Sequence, residues 1–148
     1  MNFDKAKTAL LMIDSSDLAS KKNISSFVGF LEQNKIQVKY LIYLEQKEIP
    51  EDSNGANVYI SKKSRNFWGL PKQKEFSALF ENEFDLLIDL SIKQYFAFRC
   101  IASLSRAKFK IGMLPGNSAP FDFMIDLKNT RTLSEYINQI KKYLPMLG

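Results

Sequence analysis

The stretch from Phe84 to Met113, FDLLIDLSIKQYFAFRCIASLSRAKFKIGM, constrains the fold more than any other part of the chain. Leu86, Leu87 and Ile88 form an unbroken apolar run that ends at Asp89. An amphipathic stretch follows, with Phe98, Ile101 and Leu104 at helical spacing and Ala97, Cys100 and Ala102 as small packing residues. A second apolar run then begins at Phe109. A strand without polar alternation is covered on both faces, which is the habit of parallel sheets. Strand, helix, strand in that order predicts an α/β domain with a right-handed crossover.

The rest of the chain agrees. TALLMI, residues 8–13, reads as a first strand closed by Asp14. Ile24, Phe27, Val28 and Leu31 repeat at helical spacing, and that helix is expected to end near Asn34. Val38 to Leu44, VKYLIYL, is rich in β-branched and aromatic residues and reads as a second strand. Val58 to Ile60 reads as a short third strand after the turn-rich loop EQKEIPEDSNGAN, and Glu75 to Glu81 as a short helix. LPGNSAP, residues 114–120, reads as a loop. Phe121, Phe123 and Ile125 alternate with Asp122 and Met124, which suits a half-exposed strand near a sheet edge, antiparallel at Asp126. The last helix carries Leu133, Tyr136, Ile137, Ile140 and Leu144, capped by Thr132 or Thr130. At 148 residues the expectation is one domain spanning 1–148: a three-layer, Rossmann-like α/β fold with a mostly parallel sheet of five or six strands.

Composition excludes several chemistries. The chain has no histidine and one cysteine, Cys100. Triads built on histidine cannot be assembled, an intrachain disulfide cannot form, and a zinc site lacks its usual ligands. No apolar run approaches the roughly 18 residues of a membrane helix, and MNFDKAKTALLMID lacks the pattern of a signal peptide. A cytoplasmic protein without a membrane span is expected. No GxGxxG or Walker A pattern follows any strand, and the first strand-to-helix turn contains no glycine. No cofactor and no metal are expected as the leading reading; any catalysis would rest on Asp, Glu, Lys, Tyr or Ser, or on a hard cation such as Mg²⁺ held with waters by the strand-end carboxylates.

Three strands end in aspartate: Asp14, Asp89 and Asp126. In open α/β sheets ligands bind outside the carboxyl ends of the strands. Asp14 and Ser15 after the first strand, Asp89 and Ser91 after the fourth, and Asn117 in the LPGNSAP loop form the candidate ligand edge. The competing reading is structural, because Asp and Ser also favour helix starts. Cys100 reads as a small packing residue, although Arg99 beside it could depress the thiol pKa if the pair were exposed. The six tyrosines fall at apolar or boundary positions and call for no functional role.

A second feature is the segment 61–74, SKKSRNFWGLPKQK. Lys62, Lys63, Arg65, Lys72 and Lys74 give it five positive charges and no acid, equal to the net charge of +5 for the whole chain. Phe67 and Trp68 lie in its middle. Lys62, Lys63, Arg65, Trp68 and Lys72 are the candidate anion or partner patch, with nucleic acid the weaker option. The bland alternative is a long connection whose aromatics tuck onto the core while its lysines stay solvated.

FDLLIDL followed by RAKFKIGM resembles the acceptor-side, N-terminal half of the heptosyltransferase family, which has the two-domain GT-B fold. ALLMID with its Ser/Asp turn fits that family's opening strand loosely, but the glycine-aspartate pair usual after it is missing. The resemblance implies a glycosyl- or phosphoryl-transfer role with Asp14 or Asp89 as base or metal ligand. The second domain that holds the nucleotide sugar has no room here, so a partner subunit or a dimer would complete the site. The FWGLPK and FDLLIDLS stretches are also similar to uncharacterised bacterial domains of comparable length. The leading expectation is a non-catalytic domain that binds a small ligand or a protein partner. Whether it is an enzyme is left open.

Overall fold

A computed structural model describes residues 2–14, 21–44, 57–61, 81–93, 95–114, 120–127 and 132–147. Its strands are β1 (Thr8–Asp14), β2 (Gln37–Leu44), β3 (Asn57–Ser61), β4 (Leu86–Asp89), β5 (Phe109–Leu114) and β6 (Phe123–Asp126). The helices are α1 (Lys21–Gln33), α2 (Phe96–Leu104) and α3 (Leu133–Tyr143), with short 3-10 turns at Phe3–Lys5 and Leu144–Met146. The strands form one sheet in the order β3-β2-β1-β4-β5-β6. Every neighbouring pair is parallel.

β1 and β4 occupy the centre, and from Ala9 to Asp14 and from Leu86 to Asp89 every residue is buried. Alternation along each strand sends side chains to two separate cores. On one face Ala9, Leu11, Ile13, Leu86 and Ile88 pack with Phe27 and Leu31 of α1 and with Tyr136, Ile137 and Ile140 of α3. On the other face Leu10, Met12, Leu41, Tyr43 and Leu87 pack with Ala97, Phe98, Ile101 and Ala102 of α2. Helices on both faces of a parallel sheet make the three-layer architecture anticipated from the apolar runs.

Local chemistry sets the helix ends. α1 stops in a Schellman turn: Ile36 N–H donates to Leu31 O at 3.0 Å and Lys35 N–H to Glu32 O at 2.9 Å. That turn needs a left-handed residue, and Lys35 supplies it at φ 61°. Ile36 and Leu31, the two apolar residues that this motif brings together, are both buried. α3 starts at Thr132, whose side chain accepts from Glu135 N–H at 3.2 Å. α2 starts at Tyr95 with no side-chain cap.

Two expectations are corrected at β6. Asp126 lies on an edge strand, but the strand is parallel, with Leu114 opposite Asp126. The strand also begins at Phe123, not at Phe121. Phe121 instead lays its ring over Gly112 of β5, where a Cβ would lie 2.7 Å from the ring, and the pairing starts at Phe123. Asp122 then closes the start of the pairing: its carboxylate accepts Lys110 N–H at 2.8 Å and its own N–H donates to Lys110 O at 2.8 Å. The helix expected at 75–81 lies outside the described residues except for Glu81.

Candidate functional site

Strand order places the candidate site. Going outward from the centre, β1-β2-β3 runs one way and β4-β5-β6 the other. The chain therefore changes direction between β1 and β4, and the crevice at their carboxyl ends is where open α/β sheets hold ligands. Asp14 closes β1 and Asp89 closes β4.

The register brings both aspartates to the same face. Met12 is opposite Asp89, and Asp14 follows two residues later, about 7 Å further along the strand. Both share the parity of Leu10 and Leu87 and so belong to the face covered by α2. Leu90 N–H donates to Met12 O at 2.9 Å and continues the pairing just past the strand end.

Asp89 is 6% exposed. Its Oδ1 accepts both from Ser91 N–H at 2.9 Å and from Ser91 Oγ at 2.6 Å. Ser91 is itself buried. Asp89 is therefore not the cap of α2, the structural role that sequence suggested. Burial pushes its carboxyl pKa up to about 6, against the opposing pull of the Ser91 donors and the Arg99 charge. The backbone oxygen of Asp89 accepts from Tyr136 Oη at 2.7 Å, which ties α3 to the end of β4. Burial, and then the Asp89 charge, raise the Tyr136 pKa well above that of an ordinary phenol.

Asp14 is similarly enclosed, at 9% exposure. Its Oδ2 accepts from Tyr95 Oη at 2.9 Å. Tyr95 stacks on Tyr43 with ring centroids 4.0 Å apart. Phe98 meets both rings edge-on, at 5.7 Å from Tyr95 and 6.4 Å from Tyr43. Tyr43 is the register partner of Asp14 on β2. The missing side-chain cap at the start of α2 thus has a counterpart, since the Tyr95 hydroxyl bonds across the sheet edge to Asp14.

Asp14, Asp89 and Ser91 are therefore brought together. Ser15 and Asn117 lie outside the described residues, as do Lys62, Lys63, Arg65, Trp68 and Lys72. Asp126 lies two strands away at the sheet edge and is exposed. Tyr95, Tyr43 and Tyr136 were missed from sequence. The only available signal was the unusual tyrosine at a helix start. Cys100 is half-buried, and burial raises its thiol pKa, so Arg99 does not turn it into a thiolate.

The opposite end of the sheet has a different character. An open groove of about 850 Å³ runs beside Lys5, Lys7, Asn34, Lys35 and Gln37 at the amino end of β1. All five of these residues are exposed, and the groove contains no buried polar side chain to orient a ligand. Asp85 stands at the same end. It accepts Lys7 N–H at 2.7 Å and Thr8 N–H at 3.2 Å, and lies 3.4 Å from Lys108 Nζ. Burial raises its pKa, but these donors together outweigh burial and leave it below the usual value. Its contacts explain it as a structural pin between β1 and β4.

Among the described residues no group of three or more His, Cys, Asp or Glu could hold a metal ion. Among them, too, no helix is long and apolar enough to cross a membrane. No curated protein matches the chain. Residues 1–147 match the sequence profile of a family described as Family of unknown function (DUF6913), and the chain belongs to that family.

Proposed function

We propose that this chain is a binding domain that takes a small polar ligand at the β1–β4 switch point. The observation that carries this reading is the pair of enclosed carboxylates, Asp14 and Asp89, on one face of two adjacent central strands. Asp89 does not cap α2; its Oδ1 closes a turn onto Ser91, and among the described residues no donor reaches its Oδ2. Ligand recognition at carboxyl strand ends is a role beyond that turn. The surroundings are acceptor-rich: the hydroxyls of Tyr95, Tyr136 and Ser91 already donate to Asp14, the Asp89 carbonyl and the Asp89 carboxylate. Such an edge suits a ligand that donates hydrogen bonds rather than a pyrophosphate, in keeping with the absence of a glycine-rich turn.

A thermal-shift screen of the full chain tests this, using nucleotides, nucleotide sugars, sugar phosphates, polyols and amines with and without Mg²⁺. A ligand at 100 times its dissociation constant should add about 2.7 kcal/mol of stability. The gain should disappear in Asp14→Asn or Asp89→Asn. A hit that survives both substitutions would move the site elsewhere.

One observation favours a second reading, an enzyme of the glycosyl- or phosphoryl-transfer kind suggested by the GT-B resemblance. A carboxyl with a pKa of about 6 can take a proton from a substrate hydroxyl near neutral pH. Asp89 would be that base, in an assembly completed by a second subunit. Substrate turnover that falls about a hundredfold or more in Asp89→Asn, with binding retained, would favour this reading over simple binding.

A further inference from the structure

We infer that the Asp89 carboxylate is the counter-ion for a primary ammonium group of the ligand. The inference rests on the switch-point site proposed above and names the chemical class it selects. Asp89 is more than nine-tenths buried, yet its hydrogen bonds are one-sided: both Ser91 donors go to Oδ1. Tyr136 donates to the backbone oxygen of Asp89 and not to its carboxylate. Among the described residues none donates to Oδ2, and none forms an ion pair with the group. Arg99 influences Asp89 through its field alone.

Buried charges are nearly always paired and hydrogen-bonded. Among the described residues, the partner missing here is a donor with positive charge. An ammonium group provides three N–H donors and one unit of charge in a compact head, which a single open carboxylate oxygen can accept. The second enclosed carboxylate, Asp14, lies on the same face. A phosphate or carboxylate ligand would meet repulsion from Asp89. A neutral hydroxyl could donate to Oδ2 but would leave the charge unbalanced. Among the described residues, the charged and titratable groups that act on Asp89 are Arg99 from α2 and Tyr136 from α3, with Asp14 of β1 on the same face. An incoming cation favours the ionised carboxylate, so binding should strengthen as the pH rises through about 6.

Matched pairs decide the matter in calorimetry and thermal shift on the full chain: glucosamine against N-acetylglucosamine, ethanolamine against ethylene glycol, and spermidine against its fully acetylated form. Glucose 6-phosphate and Mg²⁺ alone complete the set. The expected result is binding of at least one amine, about tenfold or more tighter than its neutral counterpart, weakened by about tenfold or more in Asp89→Asn. In the unmodified chain, carbon-13 NMR should show the Asp89 carboxyl titration moving below its starting value of about 6 when that amine is added. This readout does not depend on how well the variant folds. If a neutral sugar, the phosphate or Mg²⁺ binds through Asp89 while every amine fails, the ammonium inference is wrong and the switch-point site stands. If nothing in the set binds, the ammonium inference is wrong, and the wider screen decides the switch-point site.

Discussion

Asp89 is the residue at which the fold holds an ionisable group against its ordinary behaviour. Its folded pKa of about 6 stands above the usual 3.8 because burial disfavours the charged form. The sign follows from that: its contribution to stability is complete below pH 4 and is lost as the pH rises through about 6. A rise of that size corresponds to roughly 3 kcal/mol. Chemical denaturation at pH 4 and pH 7 should therefore show Asp89→Asn gaining about 3 kcal/mol relative to the parent across that interval. A difference that stays flat with pH would show that Asp89 is not held above its ordinary pKa. Lys35 illustrates strain of another kind. Its φ of 61° lies where a side chain costs about 1–2 kcal/mol and glycine nothing. Allowing for the extra freedom of glycine in the unfolded chain, Lys35→Gly should raise stability by about 0.5–1 kcal/mol, read from the denaturation midpoint.

At the scale of elements, the pairing of β1 with β4 is held from both ends. At the amino end, Asp85 accepts from Lys7 and Thr8 while its own N–H donates to Thr8 Oγ1 at 3.1 Å. At the carboxyl end, Leu90 N–H donates to Met12 O at 2.9 Å, and Tyr136 ties the Asp89 carbonyl of β4 to α3. Asp85→Ala should cost about 1–2 kcal/mol, towards the lower figure because water reaches this site. Since its pKa is lowered in the fold, that contribution should be present at neutral pH and vanish as the pH falls below about 4. Comparing urea midpoints of parent and variant at pH 7 and pH 3 measures both the size and the sign. β5 and β6 depend on a different device, the Phe121 ring lying on Gly112. Gly112→Ala drives a methyl group into the Phe121 ring, and should cost about 1–3 kcal/mol. Adding Phe121→Ala should return part of that loss in a double-mutant cycle, because the two residues are in contact. Independent, additive costs would show that the contact does not govern the position.

At the scale of the whole molecule, the order β3-β2-β1-β4-β5-β6 creates a single point of reversal at the centre of the sheet. The two cores on either side lock β1 and β4 in place, and the enclosed aspartates sit where those strands end. Rigid strands give the proposed site better definition than loops alone could. Function-directed substitutions should therefore separate from structural ones. Asp14→Asn should leave the melting temperature within a few degrees of the parent while abolishing the stabilisation given by a ligand. Leu87→Ala, in the core beneath the site, should lose about 2–5 kcal/mol with or without ligand. Thermal melts of both variants in the presence and absence of a hit compound distinguish the two.

Sequence by itself determined the class of this protein and most of its elements. Uninterrupted runs such as Leu86-Leu87-Ile88 demand cover on both faces, which makes the sheet parallel. The spacing of Ile24, Phe27, Val28 and Leu31 is enough to place α1, and Thr132 marks the start of α3. Asp14, Asp89 and Ser91 were legible as strand-end polar residues for the same local reason. Strand order was not legible, because a run of apolar residues does not encode its neighbour. The parallel direction of β6 was hidden too, since it shows only in the pairing with β5 and not in the alternation within the strand. The roles of Tyr95 and Tyr136 arise 81 and 47 residues away from their partners, at Asp14 and Asp89. Such bonds exist only once distant elements have packed, so only the tertiary structure could join two separate aspartates into one buried edge.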